Sequence, residues 1–406
     1  MSQLFGSSLD AGLYTPMAPF LAAVIGFLCF IPLSFCVPKT EAGRFQSIDG
    51  LRGYLALAVF VHHASVWYVY GRTGVWRAPS SPLFSQLGEA AVALFFMISA
   101  FLFFRQVKES DSVNWTRLYI GRFLRMFPLY AAALVVLVSL VIYSSDLKLI
   151  ESPAAILVQV VRWLSFTILG APDINGVVGT RYIMAGVVWS LPYEWVWYAA
   201  LPLIGLLLRK RPHVGLLALS LAAIAFAFLK LDPLLLLPFA GGVAAYNVCR
   251  RESVARMLRG RIAAFVALSC ALASVLVFDS ARHPSAVILW TFFFSTVACG
   301  NSFFGILGNR FSVAMGEVSY GIYLFHGFFL FLAFEYLGKA AYGALTPVEH
   351  WTVSLALIPL LLAACTLMYR IIELPAMKSR SGVMQLLQSI KVRSSALIRK
   401  RRAENI

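Results

Sequence analysis

An arginine and two histidines lie on one apolar stretch of this chain. Arg52 is followed after ten residues by His63, and His62 directly precedes that histidine. In an α-helix the eleven steps cover about 16 Å at about 1.5 Å per residue, roughly half the hydrocarbon core of a bilayer. A guanidinium would lie at the membrane edge and an imidazole near the midplane, where ionisable groups are costly and usually functional. The two histidines point about 100° apart, so at most one should face a given cavity.

A third histidine and a carboxylate extend this pattern. His326 lies about ten residues into a later apolar stretch and should reach a depth similar to that of His63. Glu194 ends the segment W-S-L-P-Y-E, where Pro192 suits a first helical turn, Ser190 suits an N-cap and the helix dipole favours an acid. Structural alternatives are core histidines bonded to the backbone and a carboxylate that only starts a helix. The functional interpretation is an imidazole base that removes the proton of a hydroxyl, with a polar group holding its tautomer.

Arginines at the ends of the apolar stretches could bind a substrate that carries phosphate. Arg122 and Arg125 occur in G-R-F-L-R-M-F-P-L-Y. With Arg52 they could hold the phosphates of a cytosolic donor, because a guanidinium binds phosphate in a planar, two-point geometry. The alternative for Arg122 and Arg125 is anchoring of helix ends at the cytoplasmic surface. The sequence contains no phosphate-binding glycine-rich loop, nucleophile elbow or zinc motif.

The composition indicates an all-α, polytopic transmembrane bundle. Hydrophobic residues make up 60% and charged residues 13% of 406, and the mean hydropathy is +0.80, whereas soluble domains are nearer half apolar and a quarter charged. The stretch 155–170 is apolar but carries Arg162 and Trp163, which predicts an interfacial or re-entrant segment. Stretches long enough to span predict one extra N-terminal span and ten further spans, at about 17–37, 51–70, 88–104, 126–143, 193–208, 214–230, 232–248, 262–279, 285–303, 317–338 and 351–371.

Basic residues are distributed unevenly between the two sides of this arrangement. With residues 38–52 inside, all but eight of the 34 basic residues are cytoplasmic. The N-terminus is therefore predicted outside and the C-terminus inside. The net charge of +16 is mainly a topology signal, and nucleic acid is not an expected partner. The tail from Lys391 to Arg402 could contact anionic membrane lipids.

The chain is predicted to form one membrane domain with short additions. The expected divisions are an N-terminal span and inner loop at 1–46, the membrane domain at 47–377 and a basic cytoplasmic tail at 378–406. The longest external piece, about 144–192, suits a lid or an acceptor-binding cap. The six cysteines lie in spans or at their inner ends without metal-ligand spacing. They are expected to be buried, small apolar residues and not disulfides or metal ligands.

Several segments resemble the acyltransferase-3 family of integral membrane O-acyltransferases. The family's arginine, ten residues and histidine match Arg52 and His63. Ala91 and Ala100 replace glycines that the family often has. The order of the matches is kept from about residue 47 to 377. The other similar segments are G-E-A-A-V-A-L-F-F-M-I-S-A-F, R-F-L-R-M-F-P-L-Y, W-S-L-P-Y-E, V-S-Y-G-I-Y-L-F-H and the late E-L-P at Glu373 to Pro375.

The resemblance implies ten family spans and transfer of an acyl group, often acetyl, from an acyl-CoA such as acetyl-CoA to a hydroxyl of a glycan or lipid-linked sugar. It implies polysaccharide O-acetylation in a bacterial inner (plasma) membrane, without a metal. Because the fused external hydrolase-like domain of some members is absent, the domain is expected to act alone or with a separate extracytoplasmic partner protein. The predicted residues are, as catalytic groups, His63, Glu194 and His326, and, as donor-binding groups, Arg52, Arg122 and Arg125.

Two other functions remain compatible with these residues. Buried His, Glu and Arg could form the proton relay of a proton-coupled transporter or flippase. A non-catalytic membrane scaffold is a weaker alternative, because a scaffold has no need of histidines at mid-depth.

The charge distribution yields a topology that can be tested. Reporter fusions or cysteine labelling should place residues 8 and 145 outside and residue 395 inside, because cytoplasmic loops retain the excess of Lys and Arg. An inside signal at residue 145 would contradict the predicted topology.

Overall fold

The computed structural model describes residues 12–38, 45–336 and 339–390, and helices make up the regular structure of these ranges. Short 3₁₀ turns lie at Ser34–Cys36, Val187–Ser190 and Pro233–Leu236, and a π-turn at Tyr369–Glu373. The helices are α1 Met17–Leu33, α2 Gln46–Thr73, α3 Pro82–Glu109, α4 Trp115–Ser144, α5 Pro153–Leu164, α6 Thr180–Ile183, α7 Leu191–Leu207, α8 Val214–Lys230, α9 Leu237–Cys249, α10 Glu252–Leu258, α11 Arg261–Val277, α12 Pro284–Ala298, α13 Arg310–Glu317, α14 Ser319–Tyr336, α15 Lys339–Ala344, α16 Pro347–Met368 and α17 Leu374–Lys378.

The helical architecture confirms the predicted all-α class. Four helices of the described ranges are long and apolar enough to cross a membrane, or six if each bent pair forms one span. The chain is therefore an integral membrane protein. α8, α9 and α12 coincide with predicted spans but have only 17, 13 and 15 residues, fewer than the about 20 that a straight span needs. The count of eleven spans thus stays a prediction.

Two predicted segments differ in shape from simple spans. The predicted span 317–338 corresponds to α14, whose start meets the preceding helix α13 at an angle of 66°. The apolar stretch near 155–170 forms α5, a helix of 12 residues that is too short to span. The start of the chain and the basic tail from Lys391 to Arg402 lie outside the described residues.

Close backbone packing holds α2 against its neighbours. α2 packs on α3, α13 and α14. A Cβ on Gly316 of α13 would overlap the carbonyl oxygen of Asp49, and one on Gly50 would overlap the carbonyl oxygen of Leu307. On the other side of α3, Gly242 of α9 approaches the carbonyl oxygen of Met97 in the same way. Glycines therefore bring two helix pairs, and α2 and the loop before α13, to the short separations that small residues permit.

The segment 145–190, here called the cap, is held in place by hydrogen bonds of polar side chains. Asn175 accepts hydrogen bonds from the backbone of Ile150 and donates to the carbonyl oxygen of Lys148. Trp163 is fully buried, and its indole donates to the carbonyl oxygen of Pro172. The cap reaches α14 at Gly327, where any side chain would overlap the backbone of residues 184–185. The helix that carries His326 is thus in contact with the cap.

The prediction that the cysteines are unpaired apolar residues is wrong for two of them. Cys249 and Cys299 form a disulfide with their Cα atoms 5.2 Å apart. These residues end α9 and follow α12, two helices that pack side by side. The sequence separation of 50 residues does not reveal this contact, because it results only from the tertiary packing of the two helices.

The contact at Gly316 leads to a stability prediction. Gly316→Ala should lower the free energy of unfolding by about 1–3 kcal/mol, because the added methyl group overpacks the α2–α13 contact. Unfolding in mixed micelles would measure the change. The matched control is Gly382→Ala, since a Cβ at that position meets nothing within 4 Å. Equal stability of the two variants would contradict the packing described above.

Candidate active site

A large cavity, here called the basic cavity, opens between α2, α3, α4, α7, α14 and the segment that follows α16. Its volume is about 770 Å³, a size typical of ligand pockets. Asp49, Glu194 and Glu317 also line it. The cations that line the cavity are Arg52, Arg105, Arg122, Arg125, Lys378 and Arg380.

Buried carboxylates hold two of the arginines that line the cavity. Nη1 of Arg125 lies 3.2 Å from Oε2 of Glu373, a fully buried residue. Nη2 of Arg125 donates to the carbonyl oxygen of Glu317 at 2.9 Å. Arg52 lies 3.8 Å from the carboxylate of Asp49, one turn earlier on α2. Both guanidinium groups are therefore positioned before any ligand binds.

Hydroxyl groups hold Glu194 on the cavity wall. Ser99 of α3 donates to Oε1 of Glu194 at 2.7 Å, and Tyr198 donates to the same oxygen at 2.5 Å. The guanidinium of Arg122 lies over the ring of Phe103 at 4.5 Å and over that of Tyr198 at 6.0 Å. Two hydroxyl donors to one oxygen fix the position of the Glu194 carboxylate, and Arg122 lies over the ring of one of these donors, Tyr198.

His63 and His326 are in direct contact. Nδ1 of His63 lies 3.1 Å from Nε2 of His326 and 3.0 Å from the carbonyl oxygen of Val59. Nδ1 of His326 lies 3.1 Å from the carbonyl oxygen of Ile322. His326 is fully buried, whereas His63 is half-buried.

The backbone contacts select one tautomer for each neutral ring. A carbonyl oxygen only accepts hydrogen bonds, so Nδ1 of His326 carries a hydrogen and its Nε2 is a lone-pair acceptor. The N–H at Nδ1 of His63 then donates a hydrogen bond that is shared between Nε2 of His326 and the carbonyl oxygen of Val59. Nε2 of His63 keeps its lone pair. No hydrogen-bond partner of that Nε2 occurs among the described residues. The arrangement thus has an imidazole base whose other nitrogen is held by a second imidazole.

Tyr323 connects the histidine pair with the basic cavity. Its ring lines the cavity and lies 6.3 Å from the ring of His326. Its hydroxyl donates to the carbonyl oxygen of Val187 at 2.9 Å and lies 2.8 Å from the hydroxyl of Ser190. Ser190 lies one turn before Glu194. The hydroxyl of Tyr323 therefore joins the helix of His326 to the turn that precedes Glu194.

Aromatic rings cover the histidine pair on another side. Trp76 lies over His63, with the ring centroids 6.5 Å apart and an angle of 27° between the ring planes. Tyr182 of the cap stacks on Trp76 at 4.6 Å. The cap therefore reaches the neighbourhood of His63 through two stacked rings.

The structure brings the six predicted residues into two adjoining groups. His63 and His326 form the pair, and the other four, Arg52, Arg122, Arg125 and Glu194, line the basic cavity. His62 faces α3 instead, with Nδ1 2.8 Å from the carbonyl oxygen of Phe84.

Glu194 lines the same basic cavity as the predicted donor-binding arginines. The 3₁₀ turn Val187–Ser190, which directly precedes α7, packs against α14. No hydrogen bond joins Glu194 to either imidazole within the described part of the chain.

Sequence reasoning missed several polar residues of this region. Glu317 and Glu373 lie at or just beyond the ends of predicted spans, but both are buried, and an acid inside a membrane segment is itself a functional signal. Ser99 and Tyr323 lie in segments that resemble the family. Their side chains are uncharged, however, and only the fold shows that they face the site.

The Arg125–Glu373 pair leads to a second stability prediction. Arg125→Met should cost about 3–5 kcal/mol of stability, because it leaves a buried carboxylate without its partner. The double variant Arg125→Met with Glu373→Gln should recover most of that loss in the same unfolding assay. Arg122→Met is the control, since its guanidinium packs on a ring. If Arg125→Met alone were as stable as the wild type, the structural role of the pair would be contradicted.

Comparison with known proteins identifies the family. The model of the acyltransferase-3 family, described as "Acyltransferase domain", matches residues 45–370. Nodulation protein 10 of Rhizobium leguminosarum bv. viciae is 25% identical over 384 residues, which cover 85% of this chain and 97% of that protein. Acyltransferase MdmB of Streptomyces mycarofaciens is 28% identical over 179 residues, 42% of this chain and 41% of that protein, so the match spans less than half of that relative. No solved structure matches the chain. Because the family model covers most of the sequence, this protein belongs to the acyltransferase-3 family.

Proposed function

We propose that this protein is a membrane-embedded O-acyltransferase that moves an acyl group, acetyl in the first instance, from a cytosolic acyl-CoA to a hydroxyl of a cell-surface or exported glycan. The observation that carries the proposal is the contact between His63 and His326 beside a cavity lined with arginines. Membership of an acyltransferase family supports the reaction class.

His63 is the proposed general base. Its Nε2 lone pair takes the proton of the acceptor hydroxyl as the oxygen attacks the thioester carbonyl. The C–O bond of the ester forms, the C–S bond breaks, and the proton passes from His63 to the departing thiolate of CoA. His326 accepts the Nδ1 hydrogen of His63 throughout and so stabilises the imidazolium that forms during attack, as the third member of a catalytic triad does.

Arg52, Arg122 and Arg125 are the proposed binding groups for donor phosphates. Arg52 lies about 16 Å from His63 along α2 at about 1.5 Å per residue. The pantetheine arm would cover this distance through the basic cavity. Glu194, held by Ser99 and Tyr198, is proposed to orient the reacting end of the arm by accepting a hydrogen bond from one of its amides.

The proposed acceptor approach lies on the side of the cap. Tyr182 and Trp76 cover His63 there, and aromatic rings of this kind suit contact with a sugar ring. The donor and the acceptor would thus reach His63 from opposite sides. A bacterial inner membrane, with the C-terminus in the cytoplasm, is the proposed location, because it has acyl-CoA on one side and exported glycans on the other.

Purified protein with labelled acetyl-CoA and candidate glycans tests the function. The expected result is label in an ester of the glycan and an equal amount of free CoA. A transporter or flippase would instead move solute across vesicle membranes without forming an ester. Transport without ester formation would contradict the proposal.

The histidine pair leads to a prediction about activity. His63→Ala should reduce transfer by about 10²–10⁴-fold, since that is the usual contribution of a positioned base, while insertion and abundance stay near normal. His62→Ala is the matched control on the same helix. It should be milder, because His62 faces the carbonyl oxygen of Phe84. Full activity of a well-expressed His63→Ala variant would rule out this residue as the base.

A second prediction concerns the donor. Arg52→Lys should weaken binding of the acyl-CoA, because lysine keeps the charge but lacks the planar guanidinium that binds phosphate at two points. Arg52→Ala should nearly abolish binding. Calorimetry on purified protein measures the affinity. Thermal unfolding of each variant serves as control, since Arg52 also lies beside Asp49. Unchanged affinity in Arg52→Ala would leave Arg52 with a structural or topological role.

A further inference from the structure

Two side clefts adjoin the basic cavity at its arginine-lined end. Each has a volume of about 400 Å³. The first shares Gly121, Arg122 and Arg380 with the cavity, and the second shares Lys378 and Arg380. Arg117 lines both clefts. The clefts and the cavity are therefore neighbours that share the side chain of Arg380.

Positive charge accumulates in the clefts without compensation. None of the residues that line either cleft is acidic. Arg117, Lys378 and Arg380 form no ion pair with another residue in the described part of the chain, whereas Arg125 at the cavity wall has Glu373. Cations that share a small cleft repel one another. A bound anion would remove this repulsion, so the clefts have the electrostatics of an anion site.

The backbone of α4 allows Arg380 to lie at the junction. A Cβ built on Gly121 would lie 3.3 Å from Nη1 of Arg380, so the guanidinium packs directly against the helix at this point. Uncharged groups that can donate hydrogen bonds complete the lining. They are Gln106, Ser110, Ser112, Asn114, Ser381 and Gln388.

This lining favours a phosphate monoester joined to a larger polar group. The proposed function already assigns Arg52, Arg122 and Arg125 to donor phosphates, and the clefts add a second group of cations beyond them. Acyl-CoA carries such a separate charge, because its adenosine bears a 3′-phosphate apart from the diphosphate. A lipid headgroup is the other source of phosphate, but the polar lining and the position of the clefts next to the cavity favour the nucleotide.

We propose that the two clefts bind the 3′-phosphoadenosine end of the acyl-CoA donor, with Arg117, Lys378 and Arg380 around the 3′-phosphate. This inference rests on the proposed function and deepens it. The donor would then be held at two separate points, its nucleotide in the clefts and its pantetheine arm in the basic cavity.

Binding of CoA and of 3′-dephospho-CoA to the purified protein in phosphatidylcholine nanodiscs tests the proposal. Wild-type protein should prefer CoA by about tenfold or more, the usual effect of hydrogen bonds to a charged group. Arg380→Gln should abolish this preference, so that CoA and 3′-dephospho-CoA bind with equal affinity. Arg256→Gln, an exposed arginine on α10 with the same change of charge, is the control and should keep the preference.

The outcomes separate this inference from the proposed function. Equal affinity of wild-type protein for the two ligands, or a preference that survives in both Arg380→Gln and Arg117→Gln, would overturn the cleft assignment alone. Failure of both ligands to bind would overturn the proposed function as well. A parallel measurement in nanodiscs with phosphatidylglycerol counts the retained lipids. If Arg380→Gln loses anionic lipid but keeps the CoA preference, the clefts bind a lipid headgroup and the nucleotide assignment is wrong.

Discussion

The hydrogen bond between Nδ1 of His63 and Nε2 of His326, 3.1 Å long, determines what the candidate site can do. The two residues lie 263 positions apart in sequence, and a bond of this length needs α2 and α14 at the same depth and in contact. A Cβ on Gly50 or Gly316 would overlap a neighbouring carbonyl group, which shows how closely α2 packs against its neighbours. Gly327 holds α14 against the cap in the same way. A small relative shift of either helix would separate the rings and release the tautomer of His63.

Uncharged groups surround the two histidines, and the charged groups lie in the adjoining cavity and clefts. The imidazoles are enclosed by aromatic rings and by the backbone carbonyl groups of Val59 and Ile322. The guanidinium groups lie in the cavity, where Asp49 and Glu373 hold two of them. Arg117, Lys378 and Arg380, which line the clefts, form no ion pair in the described part of the chain. This arrangement suits the proposed donor, whose charged end would lie among the cations while its uncharged acyl end reaches the histidines.

Much of the fold and part of the site could be predicted from the sequence, because helix geometry is local. The rise per residue places His63 and His326 at similar depths, and the structure has them in contact. The apolar stretches predict helices at the observed places. The number of spans does not follow from these stretches, because several of the helices are shorter than a straight crossing requires.

The remaining features depend on tertiary contacts that no local pattern contains. The pairing of Arg125 with Glu373 and the disulfide between Cys249 and Cys299 join residues far apart in sequence. The position of Glu194 on the cavity wall also depends on such contacts, since the 3₁₀ turn directly before α7 packs against α14. Neither the periodicity nor the charge distribution of the sequence indicates that the turn packs against α14.

The central claim is that the donor enters from the arginine-lined side and presents its acyl carbon to His63. An experimental structure with a non-hydrolysable acyl-CoA analogue tests this claim most directly. The account predicts density for the phosphates beside the arginines of the basic cavity and for the acyl carbonyl within hydrogen-bonding reach of the His63 imidazole. An analogue bound on the cap side, or one whose acyl end lies away from the histidine pair, would contradict the account.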